Sequence, residues 1–116
     1  PQMNFFDGSL AKVTKNGSSG CFKGQGFETG EIRLTTQQKN TNDPVRLGIR
    51  PQHLKINKKG NLAGQVTLVE KLGTETVVEL INENGTLFRY AAAETPDIAI
   101  GDNLKFGFES SRAHLF

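Results

Sequence analysis

The chain has 116 residues, a length that buries roughly two-thirds of its unfolded surface and sustains a core without disulfide or metal staples; its 35% hydrophobic content and 13 glycines favour short strands and turns over long helices. With 14 basic and 12 acidic residues interspersed, the net charge of +2 excludes the concentrated basic face of a typical nucleic-acid binder. A single cysteine excludes an internal disulfide and a CxxC metal pattern, no apolar run approaches the roughly 20 residues of a membrane-spanning helix, and no signal peptide is visible.

In chain order, residues 4–13 read as a strand interrupted at Asp7-Gly8, and residues 15–20 as a turn or loop. Cys21-Phe22 and residues 31–34 are candidate short strands. Residues 35–44 are a polar loop or linker without apolar periodicity. Val45, Leu47 and Ile49 then alternate with Arg46, Gly48 and Arg50, the period of two that buries one strand face and leaves charge on the other. Pro51 cannot donate to a strand ladder, so this strand stops there.

Lys58-Lys59-Gly60-Asn61 turns the chain between residues 54–57 and 62–69, although the alternation over 65–69 is imperfect. Gly73 permits a turn with positive φ. Residues 76–81 form the next strand, and their adjacent apolar pairs suggest cover on both faces. Asn84-Gly85 supplies the positive φ of a hairpin into residues 86–91. Pro96 marks a bend, and residues 100–103 turn into the alternation of Leu104, Phe106 and Phe108. No segment keeps helical spacing and there is no internal repeat. Short strands dispose of their edges by closing up. The expected fold is therefore all-β, a small OB-like β-barrel of short antiparallel strands, with strands from both ends of the chain in one sheet. Residues 1–116 read as one such unit.

Residues of catalytic type are present without a catalytic pattern. Cys21 has only His53 and His114 to pair with and nothing to orient a third member, so it reads as a small core residue. Two distant histidines and one cysteine do not make a zinc site. Glu70, Glu75 and Glu79 read as solvated charges, with Glu75 and Glu79 on one strand face. Gly24-Gln25-Gly26 lacks the Gly-Lys-Ser/Thr of a phosphate loop. Lys55, Lys58 and Lys59 read as a solvated turn. In Phe88-Arg89-Tyr90 the two aromatics share a face and read as core rather than as a stacking platform for bases. No catalytic, cofactor-binding or metal-ligating residue is assigned.

Leu47-Gly48-Ile49-Arg50-Pro51-Gln52-His53-Leu54, then Gly64-Gln65-Val66, Val69-Glu70-Lys71-Leu72-Gly73-Thr74-Glu75-Thr76 and the final His114-Leu115-Phe116 occur in an order that resembles the C-terminal regulatory (TOBE/OB-type) domain of the ATP-binding subunit of bacterial sugar-import ABC transporters. Members carrying maltose and glycerol phosphate are nearest in pattern. Met3-Asn4-Phe5-Phe6-Asp7-Gly8 looks like the entry into that domain, and the match covers most of residues 45–116. Gln52 stands where the family usually has Glu.

The resemblance implies a regulatory and dimerisation domain that is not itself an enzyme. It would be a piece of a longer ATPase subunit, as a start at Pro1 rather than Met also suggests. ATP and Mg would belong to the parent chain, with no cofactor in this domain. The implied partners are a second copy of the subunit, transporter membrane subunits and a cytoplasmic regulatory protein, with neither nucleic acid nor membrane insertion. The implied place is the cytoplasmic face of the bacterial inner membrane, peripherally bound. Regulatory contacts carry over to Gly64, Glu70, Gly101, Gly107 and Phe116, of which Glu70 is the polar candidate and Phe116 the apolar one. Two alternatives stay open: a sensor of oxyanions or sugars using backbone N–H groups near Gly73 or Gly101, and a nucleic-acid-binding OB-fold.

Overall fold

Ten strands build two antiparallel sheets in the computed structural model, which describes residues 2–34, 40–94 and 97–116. The first sheet contains β1 (Asn4–Ala11), β2 (Ser19–Gly24), β3 (Phe27–Arg33), β4 (Pro44–Ile49) and β10 (His114–Leu115) in the order β10-β4-β1-β2-β3. The second contains β5 (Lys55–Ile56), β6 (Leu62–Leu72), β7 (Glu75–Ile81), β8 (Leu87–Ala92) and β9 (Asn103–Gly107) in the order β5-β9-β6-β7-β8. Each sheet curls into a half-barrel, and no α-helix occurs among the described residues. Among the described residues the only helical pieces are 3-10 turns at Pro51–His53 and Ser110–Arg112. Strands from both ends of the chain do share one sheet, because β10 pairs with β4 and β4 with β1.

The strict alternation of residues 45–50 folds as expected: Val45, Leu47 and Ile49 are buried while Arg46 and Arg50 are exposed, and Pro51 ends the strand. Phe88 and Tyr90 are core residues. The core joins the two sheets through aromatic contacts. Phe6 on β1 packs edge-on against Phe27 at 5.0 Å and reaches Phe88 on β8 at 6.0 Å, and Phe88 in turn meets Phe106 on β9 at 5.8 Å.

Three asparagine side chains bind backbone across the join. Asn4 Nδ2 donates to the Arg89 carbonyl and its Oδ1 accepts from Arg89 N–H, both at 2.8 Å, which satisfies the free edge of β8. Asn82 Nδ2 donates to the Gln25 carbonyl at 2.6 Å, and Asn61 Nδ2 to the Glu28 carbonyl at 2.9 Å.

Several expectations change. Asp7-Gly8 does not interrupt β1, which runs unbroken to Ala11. A Cβ at Gly8 would strike the Lys23 carbonyl and the Phe22 ring, so this glycine lets β2 cross closely. Gln25 and Gly26, with φ of 49° and 88°, form the two-residue turn of the β2–β3 hairpin. In the β7–β8 hairpin only Gly85 takes positive φ, and the Asn82 side chain organises the loop by accepting from the N–H groups of Asn84 and Thr86. Residues 35–39 of the polar stretch and the bend at Pro96 lie outside the described residues. The remaining part of that stretch turns through Asn40 and Asp43 into β4.

The most consequential difference is in β6, which continues to Leu72. Val66 pairs with Leu80 but Leu68 pairs with Glu79, so β6 carries one extra residue at this point. Such a bulge reverses the side-chain alternation. Leu62, Gly64 and Val66 face the core before it, whereas Leu68, Glu70 and Leu72 face outward after it.

Candidate functional site

The outward face created by the bulge leads to a continuous surface. Leu68, Glu70 and Leu72 lie opposite Glu79, Val77 and Glu75 on β7, and Glu79 and Ile81 lie opposite Arg89 and Leu87 on β8. Glu79 ion-pairs with Arg89 at 3.5 Å. Beyond β8, a cleft of about 210 Å³ is lined by Glu79, Leu87 and Arg89 on one side and by Met3 and Phe5 on the other.

Phe5 faces outward because its neighbour Phe6 takes the core position; the side chains of adjacent strand residues point to opposite faces. Its ring meets Phe116 edge-on at 5.9 Å. Phe116 is held by its backbone, whose N–H and carbonyl bond the Arg46 carbonyl and N–H at 2.9 and 3.0 Å. Phe116 nevertheless stays 61% exposed, and Leu72 and Leu87 are more than half exposed on the outer surface.

Arg46 ties this end together. Its Nε donates to Asp7 Oδ1 at 2.8 Å and its guanidinium carbon lies 5.6 Å from the Phe5 ring centre. The hydrogen bond from Arg46 holds the Asp7 carboxyl below the usual carboxylate range. Gly48 is the floor: a Cβ there would strike Met3 Sδ and lie 3.0 Å from the Phe116 ring. Met3, Phe5 and Gly48 were not singled out as contacts by the sequence reading. The pair Phe5-Phe6 was the available signal, since a strand buries only one of two adjacent rings.

The five positions carried over by resemblance do not gather at one point. Gly64, Gly101 and Gly107 lie around the β6–β9 pairing: Gly64 opposes Leu104, Gly101 N–H bonds the Val66 carbonyl, and Gly107 opposes Lys55. Glu70 is beyond the bulge and Phe116 lies on the other sheet beside β4. Glu70 and Phe116 are exposed, at two ends of the outward surface. Gly64 is buried, and a Cβ there would lie 2.8 Å from the Phe88 ring and 3.0 Å from Leu80 Cβ. Gly64→Ala is therefore expected to destabilise the fold by about 1–3 kcal/mol through overpacking, measured by urea denaturation. An unchanged midpoint would show that Phe88 yields freely and that this glycine is not there for packing.

The weak catalytic readings do not assemble. Cys21 on β2 is separated from His114 on β10 by the two strands β1 and β4. Glu70, Glu75 and Glu79 share the outward face but oppose Val77, Leu72 and Leu68 rather than one another. Among the described residues no cluster of His, Cys, Asp or Glu is placed to hold a metal ion, and no helix is long and apolar enough to cross a membrane.

A family model described as TOBE domain matches residues 47–116, well over half of the chain. This chain is a member of the TOBE domain family. The maltose/maltodextrin import ATP-binding protein MalK of Vibrio vulnificus is 40% identical to it over 80 residues, covering 66% of this chain and 22% of that protein. MalK of Aliivibrio fischeri aligns along 100% of the chain at 32% identity, and the xylose/arabinose import ATP-binding protein XacK of Haloferax volcanii does so at 29%. The TOBE chain spans 22–32% of the length of these three relatives. In structure it is similar to the cytoplasmic molybdate-binding protein ModG, with a TM-score of 0.76 and 15% identity over 97% of this chain and 94% of that one. That likeness shows a shared fold.

Proposed function

We propose that this TOBE domain is the regulatory and dimerisation part of the ATP-binding subunit of an ABC importer for sugars or related solutes. The observation that carries the reading is the alignment of import ATP-binding proteins along 66–100% of the chain, at 22–32% of their own length. On this reading ATP and Mg bind in the remainder of the parent subunit, and the domain itself performs no chemistry. The parent pairs with a second copy and with transporter membrane subunits, peripherally at the cytoplasmic face of the inner membrane.

The outward surface between Glu70 and Phe116 suits regulation by a cytoplasmic protein. It spans the outer faces of both sheets, where exposed leucines and two phenylalanines stand among charges, the composition of an apolar anchor within a polar rim. A regulator that binds here better in the open than in the closed state of the dimer blocks closure, to the extent of that difference.

Glu70→Lys tests the reading. The side chain is exposed, so the fold and melting temperature are expected to stay as they are while affinity for the regulator falls about 5- to 150-fold. The measurement is calorimetric binding of the regulator to the full-length subunit and to its variant. Unchanged affinity in a folded Glu70→Lys subunit would remove Glu70 from the contact.

A further inference from the structure

Beyond its bulge, β6 is an open sheet edge. β9 pairs with β6 over residues 62–65, and the chain just before β9 serves one residue more: Val66 N–H donates to the Asp102 carbonyl at 2.9 Å, and the Val66 carbonyl accepts from Gly101 N–H at 2.8 Å. Asp102 N–H then bonds the Ala99 carbonyl, closing a turn that carries the exposed Ile100. On the other side of β6, Gly73 and Thr74 close the hairpin to β7 in two residues, with a φ of 59° at Gly73, so Leu72 and Glu75 are its first hydrogen-bonded pair. Bonded and non-bonded pairs alternate along an antiparallel ladder, so Glu70–Val77 and Leu68–Glu79 are bonded, and Lys71–Thr76 and Val69–Val78 are not. Val69 and Lys71 therefore turn their N–H and C=O groups away from β7, where no described residue pairs with them.

The side chains beside this edge select what could cover it. Leu68 and Leu72 are exposed on the outward face, with the exposed Glu70 between them. Glu75 and Glu79 of β7 share that face, and of these three carboxylates Glu79 alone is ion-paired among the described residues, with Arg89. The face is therefore apolar with an excess of negative charge. A second copy of the chain fits it poorly. In the two-fold register centred on Glu70, two Glu70 carboxylates stand directly opposite each other, and the shifted registers that still let Val69 and Lys71 bond set Glu70 against Leu68 or Leu72. An open edge flanked by outward leucines is a liability unless something covers it.

We infer that β6 takes an added strand from a partner protein: an extended segment with a basic residue opposite Glu70 and apolar residues opposite Leu68 and Leu72. Main-chain bonds to Val69 and Lys71 supply affinity, and the side chains at alternate positions supply specificity. The residue opposite Glu70 falls in a non-bonded pair, where side chains across two strands stand closest, so its charge is read strongly. The inference rests on the reading of the outward surface as a docking site for a partner, and adds the binding mode and the chemistry of the docked segment. It needs neither the transported solute nor the regulator to be identified.

The probe is a capped synthetic peptide, Thr-Val-Thr-Lys-Thr-Val-Thr, whose pattern is the same in both chain directions, titrated into the 116-residue chain and followed by NMR. Saturable binding in the millimolar range is expected, with the Val69 and Lys71 amides shifted and exchanging more slowly. Placing Glu at the centre of the peptide is expected to weaken binding about 5- to 10-fold, and Glu70→Lys in the chain to reverse that preference. N-methylating the two threonines that flank the peptide's lysine removes the donors to the edge and is expected to abolish binding. Lys71→Pro is expected to do the same from the other side with the melting temperature unchanged, because that N–H faces the open edge. Binding that ignores N-methylation and both charge changes, or shifts confined to the Leu68 and Leu72 side chains, would overturn the added strand. Self-association of the chain that protects the same two amides would assign the edge to a second copy and overturn it too. If neither peptide binds, the added strand is discarded; loss of regulator affinity in Glu70→Lys would then still uphold the docking surface by itself.

Discussion

Replacing Phe88 by Ala is expected to lower the free energy of unfolding by about 3–5 kcal/mol, the range for truncating a buried phenylalanine. Phe88 is only 2% exposed and stands where the sheets meet. Its ring is tilted against Phe6 from the first sheet, edge-on to Phe106 from its own, and seated over the bare α-carbon of Gly64. Truncation removes all three contacts at once and leaves a cavity between strands that are hydrogen-bonded to other neighbours, so the gap closes poorly. The adjacent residue is the control. Leu87 is 57% exposed on the outward face, and Leu87→Ala is expected to change stability by no more than about 0.5 kcal/mol. Urea denaturation of both variants decides the point. Equal losses would mean that β8 does not present alternate faces to core and solvent, and the assignment of the outward surface would go with it.

The second large effect is expected at a polar residue. Asn82→Ala removes three hydrogen bonds of one nearly buried side chain: the donation to the Gln25 carbonyl and the acceptances from the Asn84 and Thr86 N–H groups. Their partners belong to two different hairpins, β2–β3 and β7–β8. Each group left unpaired and shielded costs more than an average hydrogen bond contributes, so a loss of about 2–4 kcal/mol is expected. Asn61→Ala breaks a single exposed bond of the same type, to Glu28, and is expected to cost about 1 kcal/mol or less. Hydrogen exchange adds a local readout: the Thr86 amide is expected to lose protection in Asn82→Ala. Retained protection and an unchanged midpoint would show that the β7–β8 loop is held by its backbone turn alone.

These two residues illustrate what was legible in the sequence. Phe88 could be placed in the core because Phe88 and Tyr90 flank Arg89 with a period of two. The role of Asn82 could not, since its Gln25 partner is 57 residues away. A local pattern identified Asn84-Gly85 as a turn but assigned positive φ to the pair, whereas the longer loop asks it only of Gly85. Gly8 was taken for an interruption because a glycine inside a strand pattern reads as a break. Its actual requirement is the close passage of β2, which depends on a pairing partner.

The candidate surface divides in the same way. Glu70 and Phe116 were named from motif order, but nothing in that order says which way Glu70 points. One extra residue between Val66 and Leu68 decides it, by turning Leu68, Glu70 and Leu72 outward. Gly64, two residues before Val66 on the same strand, stays on the inner face.

The sequence by itself determined the all-β class, most of the strand and turn positions, the division of β4 into a core face and a charged face, and membership of the TOBE domain family. These follow from local patterns: side-chain alternation, glycine and proline chemistry, and the order of short motifs. The tertiary structure alone decided the register of β6 on β7, the join made by Phe6, Phe88 and three asparagines, and the seating of Phe116 beside Phe5. Alternation is a property of one strand, whereas register and proximity are properties of two, set by which partner the chain's own hydrogen bonds select.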